Sequence, residues 1–433
     1  MRNGRFVLLL ICFSFSFLSW GQSEKKYSFP TREQLAGSFY PYNIEQIHKT
    51  KAPKGYKPFY ISHYGRHGSR WLLKDTEYTE VLNIFGKAHE EQTLTPLGEA
   101  VYERLKLIWD DAKGRCGNLT PLGAKQQMEI AERTVNNYPE VFSPSAKIQC
   151  NSTDKSRCIL SMAAFSKQLA AMNPHLDINM EANERDMFYM NALASYDNYY
   201  NPAFSALKKD TALRKAKLSF EAVLLKPDRL MASLFQDGMK AREVNNPIDL
   251  MTGLFSIASD LPNTTLNVRL DDLFLPDECY AIWQSENYEF YLFNGSSPMN
   301  KGIPANCMKP LLTNFLNASN DAIRSGELAA NFRFGHDSNI LPFTALMGFE
   351  GCSVKEMDPL KISKEWKSYE IIPMAANIQW IFYRKEGSDD ILVKFLLNEK
   401  EKAIPVESDL KPYYHWRDVE AYYHSVLNEG LLK

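Results

Sequence analysis

The chain has 433 residues, of which 45% are hydrophobic and 24% charged, and its formal net charge is −2. This length is sufficient for two domains, and the composition is that of a globular protein. The near-neutral balance excludes binding to nucleic acid or to an anionic membrane through bulk charge, so any charged ligand must be recognised locally.

The first 21 residues predict a secretory signal peptide. Arg2 and Arg5 precede an apolar run over residues 6–18, and the triplet SWG, with a small residue at each end, follows it up to Gly21. The apolar run is shorter than the roughly 20 residues that a membrane-spanning helix needs. We therefore expect cleavage after Gly21 and a periplasmic or secreted mature protein that is not held in the membrane.

Residues 57–63, KPFYISH, predict a short strand, and the loop RHGSR follows it. Because Gly65 and Gly68 interrupt the pattern, neither the strand nor a helix is expected to continue through this loop. His63 and His67 are spaced four apart, as in a helical zinc pair, but a loop does not place them on one helical face. A zinc site is therefore not predicted here.

The loop RHGSR has the chemistry of a phosphate-binding site. Gly68 lets the backbone approach a ligand closely. Arg66 and Arg70 present forked donors that suit an oxyanion. His67 lies between them and could attack phosphorus, forming a covalent phosphoenzyme. The combination favours phosphoryl transfer over an ordinary loop histidine.

Two predicted helices begin with the same five residues, LTPLG, at 94–98 and 119–123. In each, the threonine is a candidate N-cap and the proline takes the first helical position. The strand AKIQCNST and a helix over about residues 155–172 follow.

Residues 181–292 are predominantly helical in pattern and rich in Tyr and Met. We interpret them as an α-helical insertion that covers one end of an α/β core made of residues 22–180 and 293–433. The core resumes with a helix over 309–325 and a strand over 330–335, and it ends with the hairpin MAANIQWIFYR, KEGSDD, ILVKFLLN. Strands that alternate with helices at this spacing predict an α/β sandwich.

Two later motifs, STDKSR and FGHD, each follow a predicted strand and supply groups that phosphoryl transfer needs. Arg157 opens a helix whose N-terminus also favours anions. His336 could donate a hydrogen bond to a phosphate oxygen. Asp337 could protonate the leaving alcohol.

Six cysteines lie beyond the signal peptide: Cys116, Cys150, Cys158, Cys279, Cys307 and Cys352. An even number in an exported chain allows up to three disulfides in 15 connectivities. Cys150 and Cys158 flank a polar turn and could form one of them. The cysteine spacing matches no zinc pattern, and no metal or other cofactor is predicted.

Together RHGSR, STDKSR and FGHDSN resemble the histidine acid phosphatases, which include phytases and multiple inositol polyphosphate phosphatases. The resemblance extends over nearly the whole mature chain, including NLTPLGAKQQ and the final hairpin. It implies a phosphoglycerate-mutase-like α/β sandwich core with an inserted α-helical cap domain. It also implies that His67 is the nucleophile and Asp337 the proton donor. The phosphate pocket implied by the family consists of Arg66, Arg70, Arg157 and His336.

Two departures bear on the substrate. Trp71 follows the first motif where related enzymes often have proline soon afterwards, and the pair His336-Asp337 stands where inositol polyphosphate phosphatases usually have His-Ala-Glu. The continuation NILPF is nevertheless similar to theirs. The sequence thus predicts an exported phosphomonoesterase that forms a phosphohistidine and acts on inositol polyphosphates such as phytate, with activity weighted to acidic pH.

The alternatives are a broad-specificity acid phosphatase acting on small phosphate esters and a non-catalytic phosphate-binding protein. A phosphomutase is disfavoured by the predicted export. Lys74 could contact a second substrate phosphate or be an ordinary solvated lysine. The basic segment KKDTALRKAK, residues 208–217, could face such a substrate, although a charge run is more often a solvated helix. The sequence leaves the oligomeric state open.

Overall fold

The structure is a computed structural model, and it describes residues 29–43, 49–194, 201–236 and 246–429. The chain divides into the units Met1–Pro30 and Thr31–Lys433, and the following account concerns the second. The predicted signal peptide, residues 1–21, lies outside the described residues. Within the described ranges, no helix has both the length and the apolar composition needed to cross a bilayer.

Within the described ranges, eight strands form one mixed sheet. They are β1 (Tyr56–Arg66), β2 (Lys147–Ser152), β3 (Asp177–Ala182), β4 (Leu328–Gly335), β5 (Asn377–Lys385), β6 (Ile391–Leu397), β7 (Lys400–Lys402) and β8 (Tyr413–His415). Their order is β3-β2-β4-β1-β5-β6-β7, and β8 pairs with β6. β3, β2, β4 and β1 run parallel, whereas β5 and β6 continue the sheet as an antiparallel hairpin.

The helices of the described residues are α1 (Thr76–Glu90), α2 (Pro96–Ala112), α3 (Pro121–Asn137), α4 (Ser156–Met172), α5 (Met187–Met190), α6 (Pro202–Lys208), α7 (Thr211–Leu224), α8 (Asp228–Leu234), α9 (Pro247–Asp260), α10 (Pro276–Phe293), α11 (Ile303–Asn306), α12 (Lys309–Ser325), α13 (Asp337–Leu346), α14 (Pro359–Glu365), α15 (Ser368–Ile371) and α16 (Trp416–Asn428). Short 3₁₀ turns occur at Gln34–Phe39, Pro139–Phe142, Glu184–Asp186, Leu261–Asn263, Asp271–Leu273 and Pro298–Asn300.

The sheet is covered on both faces, as an α/β sandwich requires. One face packs with α3 and α4, where Phe165 meets Phe332 and Phe334 of β4. The other face packs with α12, α13 and α16, where Trp380 of β5 contacts Phe315. The predicted α/β class is confirmed.

A third hydrophobic cluster lies among helices rather than on the sheet. It joins side chains of residues 71–112, which include α1 and α2, with side chains of residues 225–283, which include α8, α9 and the first part of α10. Side chains of the predicted helical insertion therefore share a core with those of α1 and α2. The division into residues 22–180, 181–292 and 293–433 stays a prediction.

Local expectations were largely confirmed. Thr95 and Thr120 cap α2 and α3 by accepting from the N–H groups of Gly98 and Gly123. The helix predicted over residues 155–172 is α4, and the final hairpin is β5 and β6.

The first strand is longer than expected, because β1 continues through Gly65 to Arg66. Gly65 serves a packing purpose there, since a Cβ at this position would lie 2.7 Å from Cε1 of His63. The edge strand β3 was missed.

The disulfides that the cysteine count allowed are not formed. All six described cysteines are free thiols. Cys150 accepts a hydrogen bond from Ser166 Oγ at 3.4 Å, and the thiol of Cys158 donates to the carbonyl of Gly335 at 3.3 Å. Each sulfur is thus engaged in a different contact, so the suggested Cys150–Cys158 bond is corrected.

Candidate active site

Three motif segments meet at one edge of the sheet. His67 directly follows β1, Thr153 directly follows β2, and His336 directly follows β4. Because these strands are parallel neighbours, their carboxyl ends lie side by side, with Arg66 paired to Gly335. Crevices outside the carboxyl ends of parallel strands are where ligands bind in open α/β sheets.

The ring of His67 is buried and its tautomer is fixed by its own loop. Nδ1 lies 2.9 Å from the carbonyl oxygen of Gly68. A carbonyl can only accept a hydrogen bond, so Nδ1 carries the proton and Nε2 presents its lone pair. This is the form of imidazole that can attack an electrophile.

Burial and nearby cations keep His67 neutral. Burial lowers the pKa of His67 well below its usual value, and the positive charges of Arg66, Arg157 and Arg70 lower it further. The ring of His336 is a close neighbour, with ring centroids 5.8 Å apart. His67 is therefore uncharged at neutral pH.

Arg66 is fully buried and held on several sides. Its Nη1 donates to the backbone carbonyls of Ser38 at 2.7 Å and Ile372 at 2.6 Å. Its Nη2 forms an ion pair with Asp337 Oδ2 at 2.8 Å. The same guanidinium thus touches the predicted proton donor and lies beside His67.

The two other arginines complete a cationic pocket. Arg70 is 6% exposed, and its Nη1 donates to the carbonyl of Trp71 at 2.9 Å. Arg157 is half-buried in the first turn of α4, and its charge acts on both His67 and His336. Three guanidinium groups around one imidazole would compensate the charge of a phosphate dianion.

His336 and Asp337 stand at the start of α13. The Tyr64 hydroxyl accepts from the N–H of His336 at 3.2 Å, and Thr153 Oγ1 lies 3.3 Å from His336 Nε2. Burial, together with the charge of Arg157, lowers the pKa of His336. A neutral His336 still has one N–H to offer to a phosphate oxygen.

Asp337 occupies the first position of α13, where the helix dipole favours a carboxylate. Its side chain retains 25% exposure. Burial alone would raise the pKa of Asp337, but Arg66 and Arg70 outweigh that effect and hold it below its usual value. In the ligand-free protein Asp337 is therefore ionised at neutral pH.

The helix α3 packs directly against the backbone of the loop RHGSR. A Cβ at Gly68 would lie 2.2 Å from the carbonyl oxygen of Gly123, so both backbones can approach only because both residues are glycine. Gln126 Oε1 accepts from the N–H of Ser69 at 2.9 Å, and Gln127 Nε2 donates to the carbonyl of Arg66 at 2.9 Å. These contacts fix the backbone of the loop.

The sequence interpretation did not single out Gln126, Gln127 or Asn263 as part of the site. Asn263 Oδ1 accepts from Ser69 Oγ at 2.6 Å. All three side chains are buried. The two glutamines could have been found from the sequence as a pair of amide side chains on the buried face of a predicted helix. Asn263 could not, because its partner Ser69 is 194 positions away.

Other sequence candidates lie outside the pocket contacts. Lys74 is exposed, and its backbone N–H donates to Glu77 at 2.7 Å, so its role stays a prediction. His63 faces Phe165, Phe332 and Phe334 in the core, and burial lowers its pKa to about 3. Among the described residues, no cluster of three or more His, Cys, Asp or Glu is arranged to hold a metal ion.

A neutral imidazole with an available lone pair, three arginines and a carboxyl group define the kind of site that a histidine-dependent phosphatase uses. The family comparison agrees, because residues 65–398 match the model of the histidine phosphatase superfamily (branch 2). The chain belongs to this family, and the predicted phosphatase is confirmed.

The relatives have low identity but long coverage. Multiple inositol polyphosphate phosphatase 1 of Gallus gallus is 20% identical over 389 residues, which cover 84% of this chain and 83% of that protein. The inositol hexasulfate complex of Bifidobacterium longum multiple inositol polyphosphate phosphatase has a TM-score of 0.76 at 18% identity, covering 90% of this chain and 97% of that one.

A phytase from D. castellii has a TM-score of 0.65 at 16% identity, covering 92% of this chain and 85% of that one. At such identities the solved structures establish the shared fold, and this fold is the predicted α/β core with a helical cap.

Proposed function

We propose that this phosphatase is exported and hydrolyses inositol polyphosphates, such as phytate, through a phosphohistidine at His67. The observation that carries the proposal is the fixed tautomer of His67, whose Nδ1–H donates to the carbonyl of Gly68 at 2.9 Å. Its Nε2 lone pair is thereby available within a pocket of three arginines. The substrate class is supported by the names of the Gallus gallus and Bifidobacterium longum relatives.

The reaction begins when a phosphate group replaces water among Arg66, Arg70 and Arg157. Their charges stabilise the oxygens of the transferring group, and the low dielectric of the buried site strengthens that effect. Nε2 of His67 then forms a bond to phosphorus as the bond to the alcohol oxygen breaks. Asp337, which must carry a proton in the enzyme–substrate complex, delivers that proton to the alcohol oxygen.

The second half of the reaction regenerates the imidazole. Asp337, now a carboxylate, accepts a proton from water, and the resulting oxygen nucleophile displaces His67 from phosphorus. Phosphate leaves and Nε2 recovers its lone pair. Covalent catalysis of this kind replaces one difficult displacement by two easier ones.

A pulse-quench experiment tests the intermediate. Wild-type protein mixed with ³²P-labelled substrate and quenched in alkali should carry label that is stable in base and lost in acid. His67→Ala should carry none and should lose nearly all turnover, whereas His175→Ala, at an exposed position, should behave as wild type. Label on the His67→Ala protein, or turnover without any label in the wild type, would remove the mechanism.

Two further measurements test the substrate and the export. Catalytic efficiency on phytate should exceed that on p-nitrophenyl phosphate; equal or lower values would favour the broad-specificity phosphatase. For export, expression in a Gram-negative host followed by N-terminal sequencing should find a mature chain beginning at Gln22. Retention of the uncleaved chain in the cytoplasm would contradict this part of the proposal.

A further inference from the structure

The segment before β1 contacts the arginine pocket, although it precedes the family match over residues 65–398. We call residues 37–40 the N-terminal strap. The carbonyl of Ser38 accepts from Arg66 Nη1 at 2.7 Å. The ring centroid of Phe39 lies 5.5 Å from Cζ of Arg70. Two arginines of the pocket are thus contacted by consecutive residues of the strap.

The strap also reaches the loop RHGSR indirectly. The carbonyl of Phe39 accepts from Asn263 Nδ2 at 2.8 Å, and Asn263 Oδ1 in turn accepts from Ser69 Oγ at 2.6 Å. The carbonyl of Tyr40 accepts from the N–H of Met374 at 2.8 Å. Ala375, which follows Met374, donates its backbone N–H to the carbonyl of His67 at 3.0 Å.

Gly37 sets the path of the strap. Its backbone has φ +59° and ψ −119°, a conformation that glycine adopts readily and other residues rarely do. A Cβ at this position would lie 3.5 Å from Trp283 and 3.8 Å from Glu286, which are ordinary contact distances. A substitution by alanine would therefore disturb the backbone path rather than the packing.

We propose that the N-terminal strap is a positioning element of the phosphate pocket, with Phe39 orienting Arg70 and the turn at Gly37 orienting Arg66 through the Ser38 carbonyl. Arginine binds phosphate through a planar fork of donors, so its affinity depends on orientation as well as charge. The aromatic face and the carbonyl each restrict one guanidinium before the ligand arrives. This inference rests on the proposed function of the pocket.

Phe39 variants test the ring contact. The Kd of inorganic phosphate is measured by calorimetry, and KM and kcat are measured with p-nitrophenyl phosphate. Phe39→Leu keeps apolar cover but loses the aromatic face, and it should weaken phosphate binding by roughly three- to tenfold and raise KM in parallel. Phe39→Tyr should retain the wild-type values, because Phe39 is only half-buried and a hydroxyl can reach solvent. Wild-type affinity in Phe39→Leu, or equal loss in both variants, would overturn the proposal for Phe39.

A matched pair of glycines tests the turn. Gly326 caps α12 at φ +64° with no heavy atom within 4 Å of an added Cβ, and it stands before β4, at the end opposite the pocket. Both Gly37→Ala and Gly326→Ala carry backbone strain, but only Gly37→Ala should weaken phosphate binding, by roughly tenfold. Equal phosphate affinities in the two variants would overturn the proposal for Gly37.

The failures of the two proposals are distinguishable. A wild-type protein that binds phosphate but forms no phosphohistidine would remove the proposed mechanism and leave the strap to be judged by the phosphate affinities. A wild-type protein that turns over substrate through His67, with every strap variant at wild-type affinity, would remove only the strap. A wild-type protein that binds no phosphate would remove both.

Discussion

His67 is kept neutral and correctly oriented by separate effects. The hydrogen bond to the Gly68 carbonyl fixes the tautomer, while burial and three guanidinium groups lower the pKa. The cations that bind phosphate thus also keep the nucleophile unprotonated. Two of these cations, Arg66 and Arg70, act on Asp337 with the opposite consequence, because they favour its ionised form and so work against its function as a proton donor.

This opposition predicts the pH dependence of kcat/KM. Because the pKa of Asp337 is lowered, its side chain carries no proton in the free enzyme at neutral pH. The proton must therefore arrive with the substrate monoanion, or be taken up from solvent when the substrate dianion binds. A phosphate monoester loses its second proton near pH 6, so kcat/KM should fall above about pH 6 by roughly tenfold per unit. Since the pKa of His67 lies well below 6.5, no acid limb should appear near that value. A profile with an acid limb centred near pH 6.5, or a maximum above pH 9, would contradict this assignment.

Asp337→Asn tests proton donation directly. The loss in kcat should be about 10²–10⁴-fold on phytate, whose alcohol leaving group needs a proton, and much smaller on p-nitrophenyl phosphate, whose leaving group does not. Asp389→Asn, in the exposed β5–β6 turn, serves as the control and should match the wild type on both substrates. Equal losses of Asp337→Asn on the two substrates would indicate that the carboxylate acts only by holding Arg66.

At the scale of elements, the repeated LTPLG motif starts two helices, α2 and α3, and only the second start packs against the site. Gly98 and Gly123 both lie in the first turn of a helix, against a neighbouring backbone. A Cβ at Gly98 would lie 2.2 Å from the carbonyl oxygen of Leu234, and one at Gly123 would lie 2.2 Å from that of Ser69. Only the second neighbour belongs to the loop RHGSR.

Alanine at each glycine should therefore separate stability from binding. Each substitution forces a backbone apart, and each should lower the free energy of unfolding by roughly 1–3 kcal/mol. Gly123→Ala should also raise KM at least tenfold, because it displaces the carbonyl of Ser69, whereas folded Gly98→Ala should keep the wild-type KM. Urea unfolding and steady-state kinetics on both proteins provide the measurement, and a raised KM in Gly98→Ala alone would refute the argument.

The sequence could predict interactions between residues that are close along the chain, but not those between distant residues. The caps at Thr95 and Thr120 involve residues three positions apart, and they were predictable from local chemistry. The motif residues could be grouped because each follows a strand. β3 was missed because its side chains, DINMEA, are mostly exposed and show no alternation. Asn263 joins the site through Ser69, 194 positions away, and contacts Phe39 across 224 positions, which no local pattern reports.

At the scale of the whole molecule, the near-neutral chain concentrates positive charge where three loops meet, and ion pairs occur elsewhere in the fold. One such pair links distant parts of the fold. Glu399 is 3% exposed and pairs with Arg133 of α3 at 2.8 Å, and the hydroxyl of Tyr42 donates to it at 3.0 Å. The amide of Asn377, at the start of β5, donates to the Tyr42 hydroxyl at 2.9 Å.

This network ties α3, which supports the site, to the β6–β7 turn and to the segment before β1. Glu399 also has a positive φ of +61°, which an ordinary residue adopts at a cost.

Replacing one partner of a largely buried pair leaves the charge of the other uncompensated, although Arg133 keeps 30% exposure and can be partly solvated. Glu399→Gln should thus lower the free energy of unfolding by about 2 kcal/mol, somewhat less than for a fully buried pair. Glu407→Gln removes a carboxylate from a pair in which Glu407 is fully exposed, and this variant should keep the wild-type free energy of unfolding. Urea unfolding at pH 7 compares the two variants, and equal stabilities would mean that Glu399 is not the link that holds these elements together.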